Sequence, residues 1–221
     1  MHRPLLLIDV DGVISLFGFD HAAPPAGRYQ LVDGITHFLS TAAGDHLRRL
    51  AAEFELAWCT GWEEKANEYL PLALGLAGPL PHVVFDPSER PTQAHWKLGG
   101  IDRHVEASRP LAWVDDAHDD GCRAWAVARP GPTLLVTTDP AVGLTDQEVE
   151  RLLAWAAALG AGNGRRAPHS VPATAGGSRT WRRQRPPAAA RGHRAPRGAG
   201  QRALLRPSRS PRTRAEAASP R

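Results

Sequence analysis

LLLIDVDGVISL, residues 5–16, holds the decision about the fold. Its first part, Leu5 to Ile8, is an apolar run of the kind that forms a buried strand. The run ends in two carboxylates separated by one residue, Asp9 and Asp11. Acids at the end of a buried strand lose hydration and repel each other unless a cation or a bound ligand compensates. The stretch therefore predicts a strand that delivers charge to a working edge.

The pattern continues outward from this strand. Residues 4–10, 54–59, 82–85, 110–116 and 132–138 read as strands. Helical patterns cover residues 40–53, with Ser40 or Thr41 as N-cap, and residues 62–75, where Pro71 breaks or kinks the helix. Further helical patterns cover residues 93–107, 119–129 and 145–160, the last ending at Gly160. Residues 14–39 mix Gly, Pro and aromatics and predict a hairpin or flap. Strands alternating with helices imply a mostly parallel sheet covered on both faces. Ligands of such sheets bind beyond the carboxyl ends of the strands. Asp9 and Asp11 stand there after the first strand, Thr60 after the second, and Asp115 and Asp116 after the fourth. Lys97, near the start of a helix, can reach the same edge.

This set of side chains has a definite chemistry. Hard oxygen ligands from separate strands suit Mg²⁺, which keeps several waters and favours phosphate-bearing substrates. A carboxylate can attack phosphorus and form an aspartyl phosphate. A second acid can protonate the leaving oxygen and then deprotonate water. A hydroxyl and an ammonium can hold the phosphoryl oxygens as charge develops.

DVDGV (residues 9–13), WCTGW (58–62), Lys97 and WVDD (113–116) resemble, in that order, the four motifs of the haloacid dehalogenase (HAD) superfamily of phosphohydrolases. The resemblance spans residues 5–120. It implies an α/β, Rossmann-like three-layer sandwich with a central, mostly parallel sheet and a small hairpin flap. The segments at 13–57 and 61–96, where larger members insert caps, are mostly used by the fold itself, so no large cap domain is expected. By the same resemblance Asp9 is the nucleophile and Asp11 the general acid/base. Thr60 and Gly61 bind phosphate, and Lys97 is the stabilising lysine. Asp115 and Asp116 complete a Mg²⁺ site with Asp9 and the backbone carbonyl of Asp11. WCTGWEEKAN (58–67) and HWK (95–97) are similar to the compact HAD domains of bacterial RNA-repair proteins. The implied partner is a phosphorylated substrate, with RNA or DNA ends among the candidates.

Other readings compete at each position. D-x-D-G also opens calcium loops, but positions 13, 15 and 20 are Val, Ser and Asp, which do not continue one. A phosphorylation-controlled receiver uses the same residue types. It has its acid pair first and its lysine last, whereas Lys97 precedes Asp115 and Asp116 here. A non-catalytic phosphate-binding module on this fold is the remaining alternative. Thr60 alone is compatible with a helix N-cap, Lys97 with a solvated helix charge, and Asp119 and Asp120 with helix N-terminal charges. Lys65 is the only rival to Lys97, since the chain has two lysines. Trp62 and Trp96 flank the Thr and Lys positions; packing is their first reading and stacking of a nucleobase the second. Trp58, Trp113, Trp125 and Trp155 read as core, and Cys59 as an inert core thiol.

The charge is divided. Residues 1–160 hold 12 Lys and Arg against 22 Asp and Glu, a net −10, and form the expected HAD-like domain. Residues 161–221 hold 15 Arg against one Glu, a net +14. In that tail Arg, Ala, Pro and Gly make up 43 of 61 residues, too little apolar surface for a core, so disorder is expected. Two readings of it stand: a nucleic-acid-binding arm, or a GC-rich gene read in a shifted frame or past its stop. The two cysteines, Cys59 and Cys122, imply no disulfide framework and suit a reducing cytosol. The N-terminal apolar run is too short for a signal peptide, and no stretch has the apolar length of a membrane span.

Overall fold

The computed structural model describes residues 3–86 and 95–164, all within one compact unit. Four strands form a parallel sheet in the order β5-β1-β6-β7: β1 (Leu5–Ile8), β5 (Glu55–Trp58), β6 (Leu111–Asp115) and β7 (Thr133–Thr137). The chain leaves β1 on one side, to β5, and returns on the other, to β6. That reversal is the position where open α/β sheets bind ligands.

Strand alternation assigns the two faces. Leu6 and Ile8 of β1 share one core with Leu47 and Leu50 of α1 (Ala43–Leu50), Leu70 of α2 (Ala66–Leu74) and Val149 and Leu152 of α5 (Asp146–Gly164). Leu5 and Leu7 share the other with Leu98 and Ile101 of α3 (Leu98–His104), Cys122 of α4 (Asp120–Ala128) and Trp113. All four β1 side chains are therefore buried, which accounts for the unbroken apolar run. The result is the three-layer α/β sandwich expected from the sequence. No helix among the described residues is long and apolar enough to cross a membrane.

Between β1 and α1 a second, antiparallel sheet forms the flap, in the order β2-β4-β3: β2 (Ser15–Leu16), β3 (Gly27–Val32) and β4 (Ile35–Ser40). β3 and β4 meet at a two-residue turn, Asp33–Gly34, with φ of 50° and 80°. Asp-Gly suits a hairpin turn that needs both residues left-handed. The Asp33 carboxylate accepts hydrogen bonds from Lys65 Nζ and, at 2.9 Å, from Tyr69 Oη. The flap tip is thereby tied to α2 and to the 3₁₀ turn before it (Glu63–Lys65).

Several expectations are corrected. The strand predicted at 82–85 is a single parallel bridge, Trp58↔His82. The pairing stops because the Phe85 N–H turns to Glu63 Oε1, at 3.1 Å. Neither Ser40 nor Thr41 caps α1. Ser40 is the last residue of β4, its N–H on Ile14 O at 2.9 Å, and the capping position is Ala42. Pro71 lies inside α2, which continues to Leu74 and ends at the left-handed Gly75. The last helix runs four residues past Gly160. Trp125 and Trp155 are only partly buried at the edges of the two cores. The tail expected to be disordered lies outside the described residues, apart from 161–164 at the end of α5. Residues 93–94 of the helix predicted at 93–107 also lie outside them.

Candidate active site

The sheet register builds the site. Ile8 pairs with Trp58 and with Val114, so the next residues, Asp9, Cys59 and Asp115, stand level at the sheet's carboxyl edge. Asp9 N–H donates to Val114 O at 3.0 Å and Cys59 N–H to Ile8 O at 2.8 Å, which holds that alignment past the end of β1. Asp9 has the parity of Leu5 and Leu7, and Asp115 that of Leu111 and Trp113. Both carboxylates therefore face the α3 side, where Lys97 precedes the helix.

Lys97 Nζ lies 2.6 Å from Asp9 Oδ2 and 2.7 Å from Asp115 Oδ2. All three are buried, with Asp115 wholly inaccessible. Asp9 Oδ1 accepts from Val10 N–H at 2.8 Å, and Asp115 Oδ1 from Ala117 N–H at 2.9 Å. Two buried carboxylates share one ammonium, so one negative charge is in excess. Burial pushes the Asp9 carboxyl up, to about 7; Lys97 pulls it back in part and Asp115 adds to the rise. Burial also opposes the charge on Lys97, but Asp9 and Asp115 more than offset this and raise its pKa.

Asp116 follows on the exposed side. Burial, then the nearby Asp115, raises its carboxyl. Gly12, with φ of 74°, lies against it: a Cβ there would meet Asp116 Cγ at 2.5 Å. The glycine after the two acids is thus required twice, by its left-handed backbone and by the carboxylate it admits. Thr138 Oγ1 donates to Gly12 O at 2.9 Å and fixes the loop from the β7 side.

Asp9, Asp115 and Asp116 each offer a carboxylate oxygen, all within 4.8 Å of one another. Three hard oxygen donors around a charge excess fit a divalent cation of the Mg²⁺ type. The Asp11 carboxylate is not among them. Its Oδ2 accepts from Trp62 Nε1 at 2.9 Å, and its Oδ1 lies 3.6 Å from His37 Nδ1. His37 also meets Ser15 Oγ at 3.0 Å and the Trp62 ring edge-on, with centroids 4.6 Å apart.

Thr60 is buried beside Cys59, and its Oγ1 accepts a long bond, 3.4 Å, from Trp62 N–H. Gly61 faces the Trp96 ring. Lys97 Nζ sits 5.4 Å from the centre of that same ring. Immediately after Trp62 the backbone of Glu63 is left-handed, with φ of 49°. Non-glycine residues in that region cluster at functional sites.

Asp9, Lys97, Asp115 and Asp116 come together as the sequence predicts, with Asp11, Thr60 and Gly61 at the same edge. Lys65, the rival lysine, stands in the 3₁₀ turn before α2 and pairs with Asp33 of the flap tip instead. Asp119 caps α4, accepting from Cys122 N–H at 2.8 Å. Sequence reasoning missed His37 and the indole N–H of Trp62. Their only signal was an aromatic beside the Thr60–Gly61 pair and a histidine in the flap.

Comparison with curated proteins gives no match. Among solved structures, the chain is similar to the hypothetical protein XCC2798 from Xanthomonas campestris. The identity is 16%, over 75% of this chain and 89% of that one, with a TM-score of 0.39. A family model for the HAD domain in Swiss Army Knife RNA repair proteins matches residues 5–149, and the chain belongs to that family.

Proposed function

We propose that this HAD-type hydrolase domain is a Mg²⁺-dependent phosphatase that works through an aspartyl phosphate on Asp9. The observation that carries the reading is the buried Asp9–Lys97–Asp115 cluster, with Asp116 beside it and Asp11 outside the carboxylate group. Asp9, Asp115 and Asp116 would hold the cation, with the Asp11 backbone carbonyl as a further ligand. When bound, it neutralises the phosphoryl oxygens and lowers the charge cost of bringing a phosphate to a carboxylate.

In the first step an Asp9 oxygen bonds to phosphorus as the ester P–O bond breaks, and the Asp11 carboxyl gives its proton to the leaving oxygen. In the second, Asp11 takes a proton from water, which attacks the phosphoryl group and releases phosphate and Asp9. Thr60 Oγ1, the Gly61 N–H and Lys97 Nζ hold the phosphoryl oxygens. A flap in place of a large cap leaves room for bulky substrates. Nucleic-acid ends and nucleotides are the class proposed, in keeping with the RNA-repair context of the family. The net −10 of residues 1–160 disfavours tight nucleic-acid binding by the domain alone, so a short end rather than a long duplex is the expected ligand.

The test is hydrolysis of 4-nitrophenyl phosphate and of end-phosphorylated oligonucleotides with Mg²⁺. Chelation is expected to cut the rate by more than about 100-fold. Full activity in excess chelator would exclude this mechanism.

A further inference from the structure

We propose that the cavity between the flap tip and the Gly61–Lys65 turn is the leaving-group subsite, and that it takes a planar heteroaromatic ring such as a nucleobase. The proposal rests on the phosphatase reading above. The cavity measures about 320 Å³ and is lined by Asp11, Val32, Ile35, His37, Trp62 and Lys65, among others, but not by Asp9. Displacement at phosphorus is in line, so the leaving oxygen departs on the side away from Asp9. The group that protonates this oxygen, Asp11, opens into the cavity. The walls are an indole, an imidazole and two aliphatic side chains, and the Lys65–Asp33 pair supplies polar edges. A flat ring can cover such walls and still reach polar partners with its edge atoms. A bare sugar would set hydroxyls against Ile35, Val32 and Trp62.

The experiment compares kcat/KM for a nucleoside monophosphate and for the ribose phosphate lacking its base. Both carry the same charge and the same leaving alcohol. The wild type is expected to favour the nucleotide by about tenfold or more, the worth of one stacked base. Ile35→Glu, at a residue 63% exposed and outside the core, should cut that preference at least about threefold. A wild-type ratio near one, or a ratio that Ile35→Glu leaves unchanged, overturns the subsite. No turnover of either substrate, or turnover that survives Asp9→Asn, overturns the phosphatase reading itself.

A separate observation carries a second assignment: the geometry points to Trp62 as the positioning residue for Asp11. Its indole N–H occupies Asp11 Oδ2, which makes Oδ1, 3.6 Å from His37 Nδ1, the oxygen that carries and transfers the proton. Losing this hydrogen bond should matter only where proton donation matters. Trp62→Phe is expected to lower kcat/KM for an alkyl phosphate about 10- to 100-fold, but about threefold or less for 4-nitrophenyl phosphate, whose leaving group departs without protonation. kcat/KM is the proper quantity because it reports the step that forms the aspartyl phosphate. In an Asp11→Asn background Trp62→Phe should add little, since there is no proton left to aim. 3-Benzothienylalanine at position 62, which replaces the N–H by sulfur within the same ring shape, should reproduce the Trp62→Phe result; a return to the wild-type rate would assign that result to lost packing and overturn the assignment. Equal losses on both esters, or additive losses with Asp11→Asn, overturn the assignment.

Discussion

Asp9→Asn is expected to reduce turnover by about 10⁴-fold or more, the scale seen when a catalytic nucleophile is removed. It should also stabilise the metal-free protein. Asp9 is the buried carboxylate in excess over Lys97, and the amide keeps its shape without its charge. The sign of the pH dependence follows from its carboxyl, raised by burial from an ordinary 3.8 to about 7. A raised carboxyl favours the folded state while it is protonated. That contribution is complete below about pH 3.8 and is lost as pH rises to about 7. Asp9→Asn has no such loss. In chelator, the melting temperature of Asp9→Asn minus that of the wild type should therefore grow between pH 5 and pH 8. A difference that stays constant over this range would show that Asp9 is not the strained acid. Trapping with beryllium fluoride separately tests the nucleophile: an adduct on any residue but Asp9 would reassign it.

The sequence made the sheet legible because burial on both faces needs an unbroken apolar run, and β1 combines such a run with two acids just past its end. The ends of β5 and β6 were equally legible, since Thr60 and Asp115–Asp116 interrupt apolar stretches where a core cannot use them. What pattern reasoning could not supply was contact across the chain. Trp62 reads as packing by composition. Its hydrogen bond to Asp11 joins residues 51 apart in the chain, which no local pattern shows. His37 is one of ten histidines without metal spacing. It becomes relevant because the β3–β4 register and the Asp33–Gly34 turn bring the flap over the strand ends. The strand expected at 82–85 failed for the same kind of reason. Its composition suits a strand, but a side chain from the neighbouring turn, Glu63, takes the Phe85 N–H that a ladder would need.

The two lysines of the chain give the sharpest contrast. Lys97 is 3% exposed and bonds to two buried carboxylates; the Lys65 side chain is 52% exposed and holds Asp33 at the flap tip. Lys97→Met keeps the apolar stem of the side chain as far as Cε but leaves Asp9 and Asp115 buried with no ammonium partner. Breaking a buried ion pair from one side costs about 3–5 kcal/mol, because the remaining charge is uncompensated. The loss should be largest in chelator and smaller with Mg²⁺, since a dication held by Asp9, Asp115 and Asp116 would supply the missing positive charge. Turnover should fall about 10²- to 10³-fold even with Mg²⁺, because the ammonium also holds the phosphoryl oxygens in the transition state. Lys65→Met should leave global stability close to wild type, as expected for an exposed pair. Urea unfolding of both variants, with and without Mg²⁺, separates the cases. If Lys97→Met unfolds at the wild-type midpoint in chelator, the charge balance deduced for the cluster is wrong. If its loss is the same with and without Mg²⁺, the three acids do not hold the cation.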